Sequence, residues 1–283
     1  MTAEKVADTY IVMNPWIAAF ASALCFALMS LFVKMAITSG VKVLDLTFYR
    51  FAFGSIALGA YFLLRRRDFQ VKSWKFSLLR AFTNIFAVSL FYYSFQYLDL
   101  GTANLLNLTY PIFISILAPL ILREQTSAAK ILAVLLSSIG VGILLIGKSD
   151  LTYQTGIWIG LACGLVSAIT IMSLKQARKF DSPQVIVAIL MTCGTAALAP
   201  FFSFEFPSHW PAVFWASFFA LTGQLFITYS FRGLSAVQGS IASSARILMS
   251  YSLGILVLGD IFEWRFLISF ALVMLAIYLA KKR

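Results

Sequence analysis

Tyr93-Ser94-Phe95-Gln96-Tyr97-Leu98 returns 136 residues later as Tyr229-Ser230-Phe231-Arg232-Gly233-Leu234, in a chain of 283 residues. The spacing is close to half the chain, which points to duplication. At the same offset Leu122-Arg123-Glu124 falls on Leu258-Gly259-Asp260. At an offset of 141, Lys34 and Ala36 fall on Lys175 and Ala177. Two apolar halves built alike are the mark of a carrier assembled from structural repeats.

Hydrophobic residues make up 61% of the chain and charged ones 12%, against about 25% charged in a soluble domain. With a mean hydropathy of +0.90, the chain belongs in a lipid bilayer rather than around a soluble core. A helix crosses the hydrocarbon layer with about 20 apolar residues. Ten such stretches are read, at 14–36, 44–64, 76–97, 101–122, 128–147, 155–177, 183–203, 210–231, 235–258 and 264–280. Five spans per half is an odd number, so the second half enters the membrane from the side opposite to the first. The expected fold class is all-α integral membrane: ten transmembrane helices as two inverted five-helix repeats. Residues 1–147 form the first repeat, 153–283 the second, and 148–152 the linker.

The net charge of +11 is compatible with a nucleic-acid partner, but its placement is not. Basic residues gather at span ends, as in Arg65-Arg66-Arg67, Lys175 with Arg178 and Lys179, and Lys281-Lys282-Arg283. They favour the even-numbered connections and both termini, which places both termini in the cytoplasm, here of a bacterial inner membrane. The first span is longer than a signal-peptide core and is read as retained. Cys25, Cys163 and Cys193 all lie in apolar spans without CxxC spacing, and His209 is the one histidine. Neither a disulfide framework nor a metal site follows. No phosphate-cradling, GxSxG or HExxH spacing is present, so neither a cofactor nor an enzymatic activity is expected. The expected partners are a small-molecule substrate and the bilayer. Gly156, Gly160 and Gly164 form a stripe that lets helices approach closely. Packing inside one chain is the favoured reading, hence a monomer, with a homodimer as the alternative.

Ionisable residues within spans are functional candidates. Arg246 lies about twelve residues from each end of its span, roughly 18 Å at 1.5 Å per residue, too deep to snorkel. Arg50 and Arg80 lie nearer helix ends, so snorkelling to the interface and facing a cavity are both open. Three planar guanidinium groups suit carboxylates or phosphates. Asn84, Asn107 and Gln224 are candidate polar lining, and Tyr110 and Tyr251 candidate stacking surfaces. Pro111 and Pro119 interrupt the fourth span, which marks 104–119 as a cavity wall. Asp45, Asp99, Glu124, Asp260 and Glu263 all fall at helix ends. That pattern lacks the buried carboxylate of a cation exporter.

Phe48-Tyr49-Arg50-Phe51, Tyr110-Pro111 and the helix-end acids Glu124 and Asp260 resemble the EamA-type branch of the drug/metabolite transporter superfamily. The resemblance covers nearly the whole chain. It implies a central cavity between the halves, alternating access and transport of small metabolites such as amino acids. Where that family often has a proline in the second half, this chain has Arg246-Ile247, opposite Tyr110-Pro111. The arginine trio resembles a subgroup that includes S-adenosylmethionine transporters. The leading expectation is a secondary transporter of a carboxylate-bearing metabolite, an amino acid or an amino-acid-derived cofactor such as S-adenosylmethionine. The alternatives are a broad exporter of amphipathic or aromatic compounds and, from another class, a membrane scaffold or membrane enzyme.

Overall fold

The computed structural model describes residues 13–65, 69–122, 150–234 and 236–281, with 132, 135, 136, 138–140, 142, 143 and 146 between them. Most of the expected span 128–147, together with Glu124 and the linker residues Lys148 and Ser149, lies outside the described residues.

Five of the described helices begin where the sequence supplies a side-chain acceptor. The Asn14 Oδ1 accepts the Trp16 N–H at 2.9 Å ahead of α1 (Pro15–Thr38). α2 spans Val43–Arg65 and α3 Trp74–Ser94. Asp99 accepts the Thr102 N–H at 2.7 Å ahead of α4 (Leu100–Asn107), which is followed by α5 (Tyr110–Leu122). Asp150 caps α6 (Leu151–Ala177), and Ser182 caps α7 (Pro183–Leu198). The His209 Nδ1 caps α8 (Trp210–Ser230). Such caps satisfy N–H groups that have no acceptor in the helix itself. α9 (Ala236–Leu253) continues as a π-helical turn, Gly254–Leu258, and stops at Gly259, whose φ of 74° suits glycine. α10 is Trp264–Lys281. Among the described residues six helices are long and apolar enough to span a bilayer: α1, α2, α3, α6, α7 and α8. Stretches of α9 and α10 are shorter apolar helices. The protein is an all-α integral membrane protein.

The packing maps onto itself when the halves are exchanged. α1 packs on α8, as α6 does on α3. α1 also packs on α9, as α6 does on α4 and α5. α2 packs on α8, as α7 does on α3, and α2 and α7 pack on each other. The repeated hexamer is one backbone structure used twice. The Ser94 carbonyl accepts the N–H groups of Tyr97 and Leu98, and the Ser230 carbonyl those of Gly233 and Leu234. Each serine is wholly buried and returns its hydroxyl to the carbonyl three residues earlier, Phe91 or Ile227. The Lys34/Lys175 match diverges in role. The Lys34 ammonium donates to the carbonyls of Phe95 and Leu98, at 2.6 and 2.8 Å. Lys175 is exposed, and Arg178 supplies the corresponding donor, its Nε reaching the Thr228 carbonyl at 3.0 Å.

Carboxylates tie loops at both ends of the bundle. Asp45, in the first turn of α2, accepts the N–H and hydroxyl of Ser203 from the α7–α8 connection. At the other end Asp181, just before α7, accepts the N–H groups of Lys72 and Ser73 from the α2–α3 connection, at 2.7 and 3.1 Å. Both aspartates are 5% exposed. Each latch joins one half to the other.

The span expected as one helix at 101–122 is two. α4 stops at Asn107 and the chain turns through Leu108 and Thr109 before α5. Pro111 has no N–H to continue the ladder, and the Thr109 hydroxyl donates to the Leu106 carbonyl at 2.7 Å instead. The glycine stripe of α6 fits against this break. A Cβ on Gly160 would stand 2.7 Å from Leu106, and one on Gly164 2.5 Å from the Thr109 hydroxyl and 3.0 Å from the Leu106 carbonyl. Gly156 faces Tyr97 and Leu98 in the same way. The stripe therefore packs inside the chain, as favoured, rather than forming an open face.

Gly164→Val is expected to destabilise the protein by about 1–3 kcal/mol through overpacking, read as a lower thermal midpoint in detergent. Gly59→Val is the control, because a Cβ at Gly59 meets nothing within 4 Å. Equal midpoints would show that the stripe tolerates bulk.

Candidate functional site

Six helices and the break in the fourth span line a cavity of about 100 Å³ between the halves. α1 contributes Phe26 and Met29, α2 Arg50, α3 Arg80 and Asn84, and α8 Gln224. Asn107 and Tyr110 come from either side of the break, Ser167 and Thr170 from α6, and Ser243 and Arg246 from α9. Of the residues singled out in the sequence, Arg50, Arg80, Asn84, Asn107, Tyr110, Gln224 and Arg246 all line this one space. Asn104, also at the candidate cavity wall, is instead fully buried and donates to the Leu100 carbonyl at 2.9 Å.

The three arginines are 3%, 1% and 8% exposed for Arg50, Arg80 and Arg246. Snorkelling is thereby excluded for Arg50 and Arg80, because their guanidinium groups find partners inside the bundle. An Arg50 Nη donates to the Tyr92 hydroxyl at 3.1 Å, and the group lies over the Tyr92 ring. Arg80 Nη2 donates to Gln224 Oε1 at 3.1 Å. Arg246 Nη2 donates to Asn107 Oδ1 at 2.5 Å, and its guanidinium stands 5.7 Å from the ring centres of both Phe26 and Phe91. Cation–π contacts of this kind supply about 0.5–2 kcal/mol without cancelling the charge.

Asn107 is held so that its oxygen faces Arg246. Its amide nitrogen donates to the Cys163 sulfur at 3.0 Å and the Ser167 hydroxyl at 3.3 Å. Cys163 in turn donates to the Ala87 carbonyl. Asparagine has one acceptor and two donors at its tip, so α6 on one side fixes what it offers on the other. Asn107 is the last residue of α4, at the break.

The charge in the cavity is not balanced by protein. Among the described residues no carboxylate lines it, and the one ion pair is the exposed Lys42–Glu205 contact. Arg50 Nε, Arg80 Nε and Nη1, Arg246 Nε and Asn84 Oδ1 are buried without a protein partner. Buried charges normally carry partners because desolvating them costs several kcal/mol. The four surplus guanidinium nitrogens are donors and suit an anion, whereas the Asn84 oxygen is an acceptor and calls for a donor.

Tyr251 stands elsewhere. It stacks on Phe266 with ring centres 3.9 Å apart, and its hydroxyl bonds the backbone of Glu263. There it borders a second pocket with Asp99, Tyr153 and Asp260. The reason is helical geometry: five residues at 100° each turn Tyr251 about 140° away from Arg246. Burial raises the Asp99 carboxyl above the ordinary carboxylate range, against the hydrogen bond from Thr102. The sequence reading did not single out Phe26, Phe91, Ser167 or Thr170. Phe26 and Phe91 sit among 27 phenylalanines, and nothing local distinguishes them from lipid-facing ones.

A sequence model described as the EamA-like transporter family matches residues 14–146 and 154–281. An uncharacterized transporter of Helicobacter pylori strain 26695 is 25% identical over 261 residues, covering 84% of both chains. An uncharacterized transporter of Archaeoglobus fulgidus is 31% identical over 181 residues, covering 64% of this chain and 63% of the relative. A solved crystal structure superposes with a TM-score of 0.63 at 18% identity, covering 92% of this chain and 96% of the other. At that identity the superposition speaks for the fold alone.

Arg80→Met removes an incompletely paired buried charge and is expected to raise the thermal midpoint in detergent, since desolvating such a charge costs several kcal/mol. A lower midpoint would make Arg80 a structural residue.

Proposed function

The chain belongs to the EamA-like transporter family, and from that premise we propose that it is a secondary carrier of a carboxylate-bearing metabolite, working by alternating access. The observation that carries this reading is Arg246, buried mid-helix between halves, with a donor left over. Arg246 engages the carboxylate, Asn107 aims it, and Asn84, Tyr110 and Gln224 shape the space beside it. Amino acids and amino-acid-derived cofactors carry the required group; S-adenosylmethionine carries it too, but its net charge is positive and adds to the surplus. The protein works as a monomer in a bacterial inner membrane, with both termini in the cytoplasm.

The latches at Asp45 and Asp181 support alternating access, because they join the two halves at opposite ends. Rocking one half against the other parts one latch while the other holds. With a cysteine placed at the cavity-lining position Ser243, Asp45→Ala and Asp181→Ala are expected to shift labelling by a membrane-impermeant maleimide in opposite directions. Shifts in the same direction would rule out opposed gates.

A thermal-shift screen of carboxylates, amino acids and vitamin cofactors identifies ligands, because binding to the folded state raises its apparent stability. For a ligand so found, Arg246→Gln is expected to weaken uptake into liposomes by about 30-fold or more, as losing one buried charged partner costs about 2 kcal/mol or more. Unchanged uptake across an acidic panel by folded Arg246→Gln protein would sink the carboxylate reading. It would favour a broad exporter using the aromatic lining.

A further inference from the structure

The cavity carries its positive charge at two levels. Arg50 and Arg246 belong to the first. Their guanidinium groups lie against the adjacent α3 residues Tyr92 and Phe91, and the two charges are within electrostatic reach of each other. Arg80 belongs to the second. It precedes Phe91 by eleven residues on α3, about 16 Å of helix rise, and its guanidinium turns to Gln224 on α8. The Phe26 ring stands between the levels. Arg246 lies over it, and its edge packs against Gly223, the residue before Gln224, where a Cβ would come within 3.0 Å. Donors without protein partners remain at both levels: Arg50 Nε and Arg246 Nε at one, Arg80 Nε and Nη1 at the other.

A single carboxylate answers only one of these levels. It would leave the other guanidinium buried and uncompensated, the arrangement that is costly in a low-dielectric site. A net cation would add to the surplus. Resting on the carboxylate reading above, we propose that the substrate is a dianion with two separated acidic groups, one taken by Arg246 with Arg50 and the other by Arg80. The second group is a carboxylate or a phosphate, since a guanidinium fork accepts either.

The test uses full-length protein in detergent and unbranched dicarboxylates of increasing length (succinate, glutarate, adipate, pimelate), each paired with its monoamide. Binding is measured by thermal shift and by competition. A dicarboxylate is expected to bind about tenfold or more tighter than its monoamide, since each such factor corresponds to about 1.4 kcal/mol, with one chain length preferred. In Arg80→Gln this preference falls toward unity, while Arg246→Gln weakens dianion and monoamide alike. Monoamides that match dianions in the wild type, or an Arg80→Gln loss equal for both, would overturn the dianion and leave the carboxylate reading standing. Binding of neither series, or indifference of both to Arg246→Gln, would overturn both. If Arg80→Gln fails to fold, the wild-type comparison decides alone.

Discussion

The contact between Asn107 and Arg246 joins the two halves of the protein at the depth where a bare charge is least tolerable. It forms beside a broken helix, where Asn107 is the last residue of α4. The break depends on Thr109 and Pro111. It in turn requires a neighbour that intrudes nowhere, which the glycines of α6 provide. Cys163 and Ser167, on the same helix, then hold the amide from behind. One helix thus makes the break possible and also orients the residue beside it.

Around that contact the molecule is symmetric in its backbone and asymmetric in its chemistry. The two hexamer turns bond identically through Ser94 and Ser230, and helix packing survives exchange of the halves. The side chains depart from this. Lys34 holds one turn, whereas in the other half Arg178 reaches the end of the helix before it. The position that is Tyr110 in the first half is Arg246 in the second. Backbone bonding sets the symmetry, and a few side chains set the difference.

Much of this was legible in the chain. Hydropathy and the recurring hexamer led to the membrane fold, because apolar length and backbone pairing in lipid leave few alternatives. Pro111 announced a bend, and the depth of Arg246 announced a polar interior. Arg50 and Arg80 were ambiguous, since distance from a helix end says nothing about which neighbour a side chain meets. Tyr251 shows the opposite error: it shares a helix with Arg246 and a plausible chemistry, but not a face. Asp45 was read only as a helix-end acid and Asp181 was not singled out, because their partners lie more than 100 residues away in sequence.

The sequence by itself determined the solvent the chain lives in, the duplication, the helix that must bend or break and the one arginine too deep to reach water. These are properties of composition and of one-dimensional spacing. Only the tertiary structure decided that three arginines share a cavity, that they sit at two levels, and that no described carboxylate there balances them. The reason is physical: charge compensation depends on distance in three dimensions, and the residues concerned come from α2, α3, α8, α9 and the break in the fourth span.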